Sequence, residues 1–136
     1  MILVDSSVWV DYFNGLDSAE TDFLDTSLGT EPIAIGDLIL AEVLQGFGRD
    51  ADYETARELL TSLTIYDLLG VNLAIKTADN YRALRRSGVT VRKTIDTIIA
   101  TFCMEHRIPL LYSDRDFDPF VEHLGLKPAL ASASRR

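Results

Sequence analysis

The chain opens on a short apolar run, Ile2, Leu3 and Val4, closed by Asp5. Such a run with a polar stop predicts a strand buried on both faces, the kind found in parallel sheets. Ser6 or Ser7 is then placed to cap a helix carrying Val8, Trp9, Tyr12 and Phe13, which Asn14 and Gly15 end. A second, more polar helix is expected over residues 17–28, with Gly29 as its stop. Pro32, Ile33, Ala34 and Ile35 predict another strand. Helices over residues 36–47 and 51–63 follow, separated by a turn around Gly48 and Asp50. The β-branched and aromatic stretch 64–69 predicts a third strand. Asn72 is expected to cap a long helix with Ala74, Ile75, Ala78, Tyr81 and Leu84 at helical spacing, ended by Ser87 and Gly88. Residues 94–106 form a mostly apolar helix, 109–112 a buried strand that again runs into an acid, 119–124 a short helix and 126–130 an edge strand.

Strands alternating with helices imply βαβ units, so the fold class is α/β with a mostly parallel central sheet and helices on both faces. A chain of 136 residues, 47% of them apolar, fits one domain over residues 1–130, with a small, polar, disordered tail at 131–136. Cys103 is the only cysteine, which rules out an internal disulfide and a cysteine-rich metal site. The start carries no basic lead-in or small-residue cleavage site, and no apolar run approaches membrane-spanning length. A cytoplasmic protein without membrane association is expected.

A net charge of −8 argues at first against a nucleic-acid partner. The charge is unevenly placed, however. Residues 1–75 hold fourteen acids and two bases, net −12, and residues 76–136 hold seven acids and eleven bases, net +4. Lys76, Arg82, Arg85, Arg86, Arg92 and Lys93 fall close together, and a local basic patch can engage phosphates whatever the global sign. The alternative is an ordinary solvated helix face.

Among 21 acidic residues, the informative ones are those where burial is expected. Asp17, Glu20, Asp22 and Asp25 read as the solvated face of a polar helix. Glu42 instead interrupts Leu38, Ile39, Leu40, Ala41, Val43 and Leu44, and Asp96 sits among Ile95, Ile98, Ile99, Ala100 and Phe102. A buried carboxylate is costly unless paired, hydrogen-bonded or metal-bound. Arg92, Lys93 or the helix N-terminus offers Asp96 a purely structural partner. Taken together with Asp5 and Asp114 at two strand ends, the four acids can converge at one edge of a parallel sheet, where their repulsion calls for a cation. Oxygen ligands alone favour a hard ion, Mg²⁺ or Mn²⁺, over zinc. Mg²⁺ commonly joins carboxylates to a phosphate, which points to phosphodiester chemistry.

Other chemistries lack their parts: there is no Walker-type phosphate loop and no G-x-S-x-G elbow, and His106 and His123 lack metal-ligand spacing. His106 reads as a surface residue, and Cys103, Trp9, Tyr12 and Phe13 read as core, with one of the aromatics available to stack on a base. Two rival classes remain. A response-regulator receiver is also a parallel α/β domain with an acidic Mg²⁺ pocket, but it pairs two acids after its first strand and places a lysine after a late one. Here Asp5 is followed by serines, and the late strand by Asp114. A catalytically silent binding protein is the other.

Three segments, ILVDSSVWVDYF at the N-terminus, LAEVLQGF in the middle and YRALRRSGVTVRKTIDTIIATFCMEHRIPLLYSDRDFDPF toward the end, occur in order. With them the chain resembles the PIN-domain ribonucleases, and within these the VapC toxins of prokaryotic toxin–antitoxin pairs. The resemblance implies a three-layer α/β sandwich and a metal-dependent endoribonuclease held silent by a cognate antitoxin. It matches Asp5, Glu42, Asp96 and Asp114 to the family's acidic quartet, with Asp5, Asp96, Asp114 and Asp116 as metal ligands. Whether Asp114 or Asp116 makes the direct contact stays open. Ser6 or Ser7 matches a hydroxyl that orients the first aspartate or contacts phosphate. Arg85, Arg86, Arg92 and Lys93 would guide the RNA backbone. The family pattern further implies 5′-phosphate and 3′-hydroxyl products, tRNA as a first candidate substrate, and a homodimer.

Overall fold

In the computed structural model, which describes residues 1–130, the opening apolar run forms β1 (Ile2–Val4), buried at every position. On one side β1 pairs in parallel with β2 (Ile33–Gly36), Leu3 lying opposite Ala34. On the other it pairs with β4 (Leu110–Leu111), Leu3 opposite Leu110. β3 (Thr64–Tyr66) adds in parallel outside β2, giving the order β3-β2-β1-β4. The chain therefore builds outward from β1 to β3 and then returns to the far side of β1.

Right-handed crossovers place the helices of the outward half on one face of such a sheet and those of the returning half on the other. Helix contacts divide accordingly. α1 (Ser6–Phe13) packs on α2 (Ala19–Ser27) and α3 (Asp37–Gln45), and α3 packs on α4 (Asp50–Thr61). α5 (Val71–Arg86) packs on α6 (Thr94–His106) and on α7 (Asp118–Leu124). The three-layer α/β arrangement with a parallel central sheet is thus present. Its reversal of direction falls between β1 and β4, and the crevice beyond the strand ends at such a reversal is where open α/β sheets bind ligands.

The core is centred on β1, β2 and α6, with Trp9, Phe102, Tyr112, Phe117 and Phe120 as its largest side chains. Trp9 and Cys103 are buried as the sequence leads one to expect, and burial pushes the Cys103 thiol far up in pKa. Tyr112 satisfies its phenol on Asp118 Oδ1 at 2.8 Å. His106 is exposed but anchored, with Nδ1 3.0 Å from the Phe102 carbonyl and its ring stacked on Phe102.

Several local expectations need correction. Asp5, not Ser6 or Ser7, caps α1, because the helix begins at Ser6, directly after the aspartate, which keeps extended backbone and accepts from the Ser7 main-chain N. Gly70 rather than Asn72 precedes α5. The apolar stripe read along α5 is only partly its buried face: Leu84 is buried and Tyr81 half-buried, but Ile75 is 59% exposed, Val71 one turn earlier is 78% exposed, and the buried Thr77 lies off the stripe. A polar seam closes this packing, with Asn80 Nδ2 donating to Thr101 Oγ1 at 2.9 Å. The edge strand expected over residues 126–130 reduces to one isolated bridge between Leu110 and Pro128. A 3₁₀ turn, Arg115–Phe117, precedes α7 and had no counterpart in the sequence reading.

β3 stops short of the predicted residue 69 because the chain turns inward to bury Leu68. Its main-chain N donates to Asp37 Oδ1 at 3.1 Å, an oxygen that also accepts from the Leu38 N. Leu68 then lies directly over Gly36, where a Cβ would collide with its branched end. Gly36→Ala should therefore cost about 1–3 kcal/mol of stability by overpacking. Adding Leu68→Ala should recover part of that loss in a double-mutant cycle measured by denaturant unfolding. Additive losses would show that the two sites are independent.

Candidate active site

At the crevice between β1 and β4, a cleft of about 370 Å³ is lined by Asp5, Ser6, Ser7, Asp11, Glu42 and Asp96, together with Val10, Lys93, Ser113 and Asp114. Four chain segments contribute. Asp5 follows β1, and its Oδ2 accepts from the Ser7 main-chain N at 3.1 Å and from Ser7 Oγ at 2.6 Å. The Ser113 main-chain N lies 3.4 Å from Ser7 Oγ, linking the ends of β1 and β4. Ser6 Oγ donates to Glu42 Oε1 at 3.1 Å, fixing α3 to the same corner. The two serines left as alternatives thus have separate jobs: Ser7 holds Asp5 and Ser6 holds Glu42.

Asp96 enters from the first turn of α6 and is 4% exposed. Its Oδ2 has no hydrogen-bond partner, and the Lys93 ammonium stands 3.8 Å away. Asp114, after β4, caps the 3₁₀ turn by accepting from the Asp116 main-chain N through Oδ1 at 2.9 Å, and its Oδ2 lies 3.3 Å from Lys93 Nζ. Asp116 is not among the cleft-lining residues and takes Arg92 Nη2 at 3.0 Å from each carboxylate oxygen. Asp96, Asp114 and Asp116 nevertheless offer oxygens that all lie within 4.8 Å of one another, a spacing suited to a shared ion. Asp5 and Glu42 lie outside that triad but line the same cleft.

Of the structural partners foreseen for Asp96, Lys93 and the helix N-terminus are present, whereas Arg92 pairs with Asp116 instead, and those present leave the carboxylate under-served. Burial pushes its pKa up to about 7, against the pull of Lys93 and with repulsion from Asp5, Asp114 and Asp116 adding to the rise. Burial also raises Asp5; the Ser7 and Ser6 hydrogen bonds work against this, while Glu42 adds to it. Arg85 and Arg86 are exposed in the last turn of α5 and do not line the cleft, Arg85 lying over the Tyr81 ring instead. Asp11 was missed. Its only sequence signal is its place one helical turn after Ser7 on α1, which a solvated acid shares.

A raised carboxyl pKa means that the native state keeps a proton the unfolded chain has released, so metal-free stability falls as pH rises. For Asp96 the window runs from about 4 to about 7. In chelator above pH 7, Asp96→Asn should melt at or above the wild-type temperature, and the difference should vanish below pH 4. A variant that melts lower throughout would mean that the Lys93 pair outweighs burial.

The PIN domain family model matches residues 2–121. Ribonuclease VapC11 of Mycobacterium tuberculosis is 34% identical over 134 residues, 95% of this chain and 98% of its own length. A VapC ribonuclease of Mycobacterium bovis matches to the same extent. Among solved structures, VapBC2 of Rickettsia felis bound to a promoter DNA fragment superposes with a TM-score of 0.73 at 18% identity, covering 94% of this chain and 97% of that one. VapC20 of M. tuberculosis, described as a sarcin–ricin loop cleaving toxin, superposes with a TM-score of 0.65 at 18% identity, covering 94% and 100%. At that identity the two structures speak for the fold, and the receiver alternative falls with the family match. The chain belongs to the PIN-domain family and, within it, to the VapC-type ribonucleases.

Proposed function

We propose that this chain is a Mg²⁺-dependent endoribonuclease, the toxin of a toxin–antitoxin pair, with Asp5, Glu42, Asp96 and Asp114 as its catalytic carboxylates. The observation that carries the reading is the buried Asp96 Oδ2, which accepts no hydrogen bond, beside two further carboxylates within 4.8 Å. A donor set made only of carboxylate oxygens suits Mg²⁺ or Mn²⁺, and the triad fits such an ion. An ion there supplies positive charge to the reacting phosphate and lowers the pKa of water. Asp96 and Asp114 would hold it, with Asp116 as a further ligand or as the acid that positions Asp114, and Asp5 completing the set. Glu42, held by Ser6, would orient the attacking water or contribute to a second ion.

In the proposed hydrolysis a water oxygen bonds to phosphorus as the P–O3′ bond breaks, leaving a 5′-phosphate and a protonated 3′-hydroxyl. Lys93 lines the cleft, Arg92 is paired with Asp116 beside it, and Arg85 and Arg86 would extend the phosphate track along α5. The substrate is a structured RNA, tRNA first among the candidates, read by shape and by splayed bases. The site of action is the cytoplasm. Among the described residues no helix is long and apolar enough to cross a membrane.

Two partners follow from the same reading. A cognate antitoxin is supported by the structural relatives, several of which are VapBC or other toxin–antitoxin complexes. A second copy of the chain is supported by the exposed apolar residues Val71 and Ile75 on α5, since a monomer gains nothing by showing them to water.

Asp5→Asn should lower Mg²⁺-dependent RNA cleavage by at least about a hundredfold, because loss of a ligand costs more than loss of a supporting residue. Ser7→Ala, which removes only the support, should cost about ten- to a hundredfold. Both are read from cleavage of total tRNA by the purified variants, and a wild-type rate in Asp5→Asn would refute the site. Co-expression with the neighbouring reading frame should give a stable, inactive complex. A neighbour that neither binds nor inhibits would remove the toxin assignment and leave the nuclease.

A further inference from the structure

Lys93 occupies an unusual position for a surface lysine. Its Nζ stands between Asp114 Oδ2, at 3.3 Å, and the buried Asp96 Oδ2, at 3.8 Å. These carboxylates are two of the three corners of the oxygen triad. The acids are held in place: the Asp96 side chain is 6% exposed on α6, and Asp114 is tied through its other oxygen to the 3₁₀ turn. The lysine is less constrained: its side chain is 54% exposed, and its ammonium reaches the site through a 3.3 Å hydrogen bond to Asp114 Oδ2 and a longer ion pair to Asp96. Arg92 differs, because its contact is with Asp116 alone and its side chain is 76% exposed.

We infer that Lys93 is an exchangeable cation of this site: its ammonium holds Asp96 and Asp114 together when no metal is bound, gives way to a divalent ion, and then serves as a contact for an RNA phosphate. The inference rests on the metal-dependent nuclease reading above. At 3.8 Å the ammonium neutralises Asp96 without hydrogen-bonding it, so it is an incomplete substitute that a divalent ion replaces with better-matched charge. The two cations repel each other at such range, so the ion's arrival drives the lysine outward. A long, half-exposed side chain displaced from two carboxylates at the mouth of a cleft is then available to a phosphate backbone. The same ammonium is thereby spent on the enzyme's own acids before loading and on substrate afterwards, which makes RNA binding depend on the metal without any change in the fold. Lys93 is in this sense a positioning residue for both metal and substrate.

Calorimetric titration of the full chain with Mn²⁺, comparing wild type with Lys93→Met, Lys93→Gln and Lys93→Arg, tests the exchange without relying on cleavage. The neutral variants should bind Mn²⁺ about fivefold tighter, and Lys93→Arg close to wild type. In chelator the neutral variants should melt below wild type, and their rise in melting temperature with Mn²⁺ should be larger. A merely structural lysine predicts weaker metal binding when it is removed. For the second half, bulk tRNA binding is measured against salt in a Glu42→Gln background. Lys93→Met should reduce the magnitude of the log–log salt slope by about one in Mn²⁺ and leave it unchanged in chelator. Equal or weaker Mn²⁺ binding by both neutral variants overturns the exchange and leaves the nuclease standing. A salt slope that ignores Lys93 in Mn²⁺ overturns the phosphate contact. A wild type that binds no Mn²⁺ overturns both this inference and the metal-dependent reading.

Discussion

The Asp5 carboxylate is asked to do two things that pull against each other. Almost out of reach of solvent at the end of β1, it caps α1 through the Ser7 main-chain N. The same carboxylate faces a cleft already populated by Glu42, Asp96 and Asp114. Burial, with a contribution from Glu42, opposes its charged form, while the Ser7 hydroxyl and the main-chain hydrogen bonds of Ser7 and Ser6 favour it. The rest of the corner is arranged around that conflict. Ser7 can hold Asp5 because the strand passes directly into the helix, and the Ser113 main-chain N can reach Ser7 because β4 lies beside β1. Replacing the acid with an apolar residue would ease the electrostatics and remove the anchor at once.

What could be read from the sequence follows from how strongly each residue violates its surroundings. Asp5 and Asp114 stand out as polar stops to apolar strands, and Glu42 and Asp96 as charges in apolar helices, so the cleft was visible before any coordinates. The α6 boundaries coincide with the expected 94–106 because an apolar run with an acid in its first turn is an unambiguous helix. Asp11 was invisible, since one acid on a mixed helix face carries no local contradiction. The buried face of α5 was misread for a related reason. Its contact with α6 includes Thr77, Asn80 and Thr101, and a count of apolar spacing cannot see a polar seam. The 126–130 segment pairs only at Leu110, which exchanges main-chain hydrogen bonds with Lys127 and Ala129, because β4 is itself two residues long and Pro128 has no N–H to extend the ladder. The division of labour between Ser6 and Ser7 needed the position of Glu42 on a neighbouring helix.

The charge polarity along the chain acquires a physical meaning in the fold. Asp5, Asp11 and Glu42 come from the acidic first half, and Lys93, with Asp96 and Asp114, from the more basic second half, so the cleft forms where the two meet. Net charge was a poor guide because it averages over this boundary. Arg92 and Lys93 are engaged with carboxylates, so the field an approaching polyanion would meet is weaker than the base count of that half suggests.

The placement of β4 has a temporal side. It is the last strand along the chain, yet it sits beside the first, and the loop that follows it brings Ser113 to Ser7 and Asp114 into the cleft. During synthesis Asp5 and Glu42 leave the ribosome early, but the pocket cannot close until nearly the whole domain has emerged. No fragment that ends before Asp114 carries the complete set of acids. A ribosome that stalls before Asp114 therefore releases a chain that lacks the last wall of the cleft rather than a complete site.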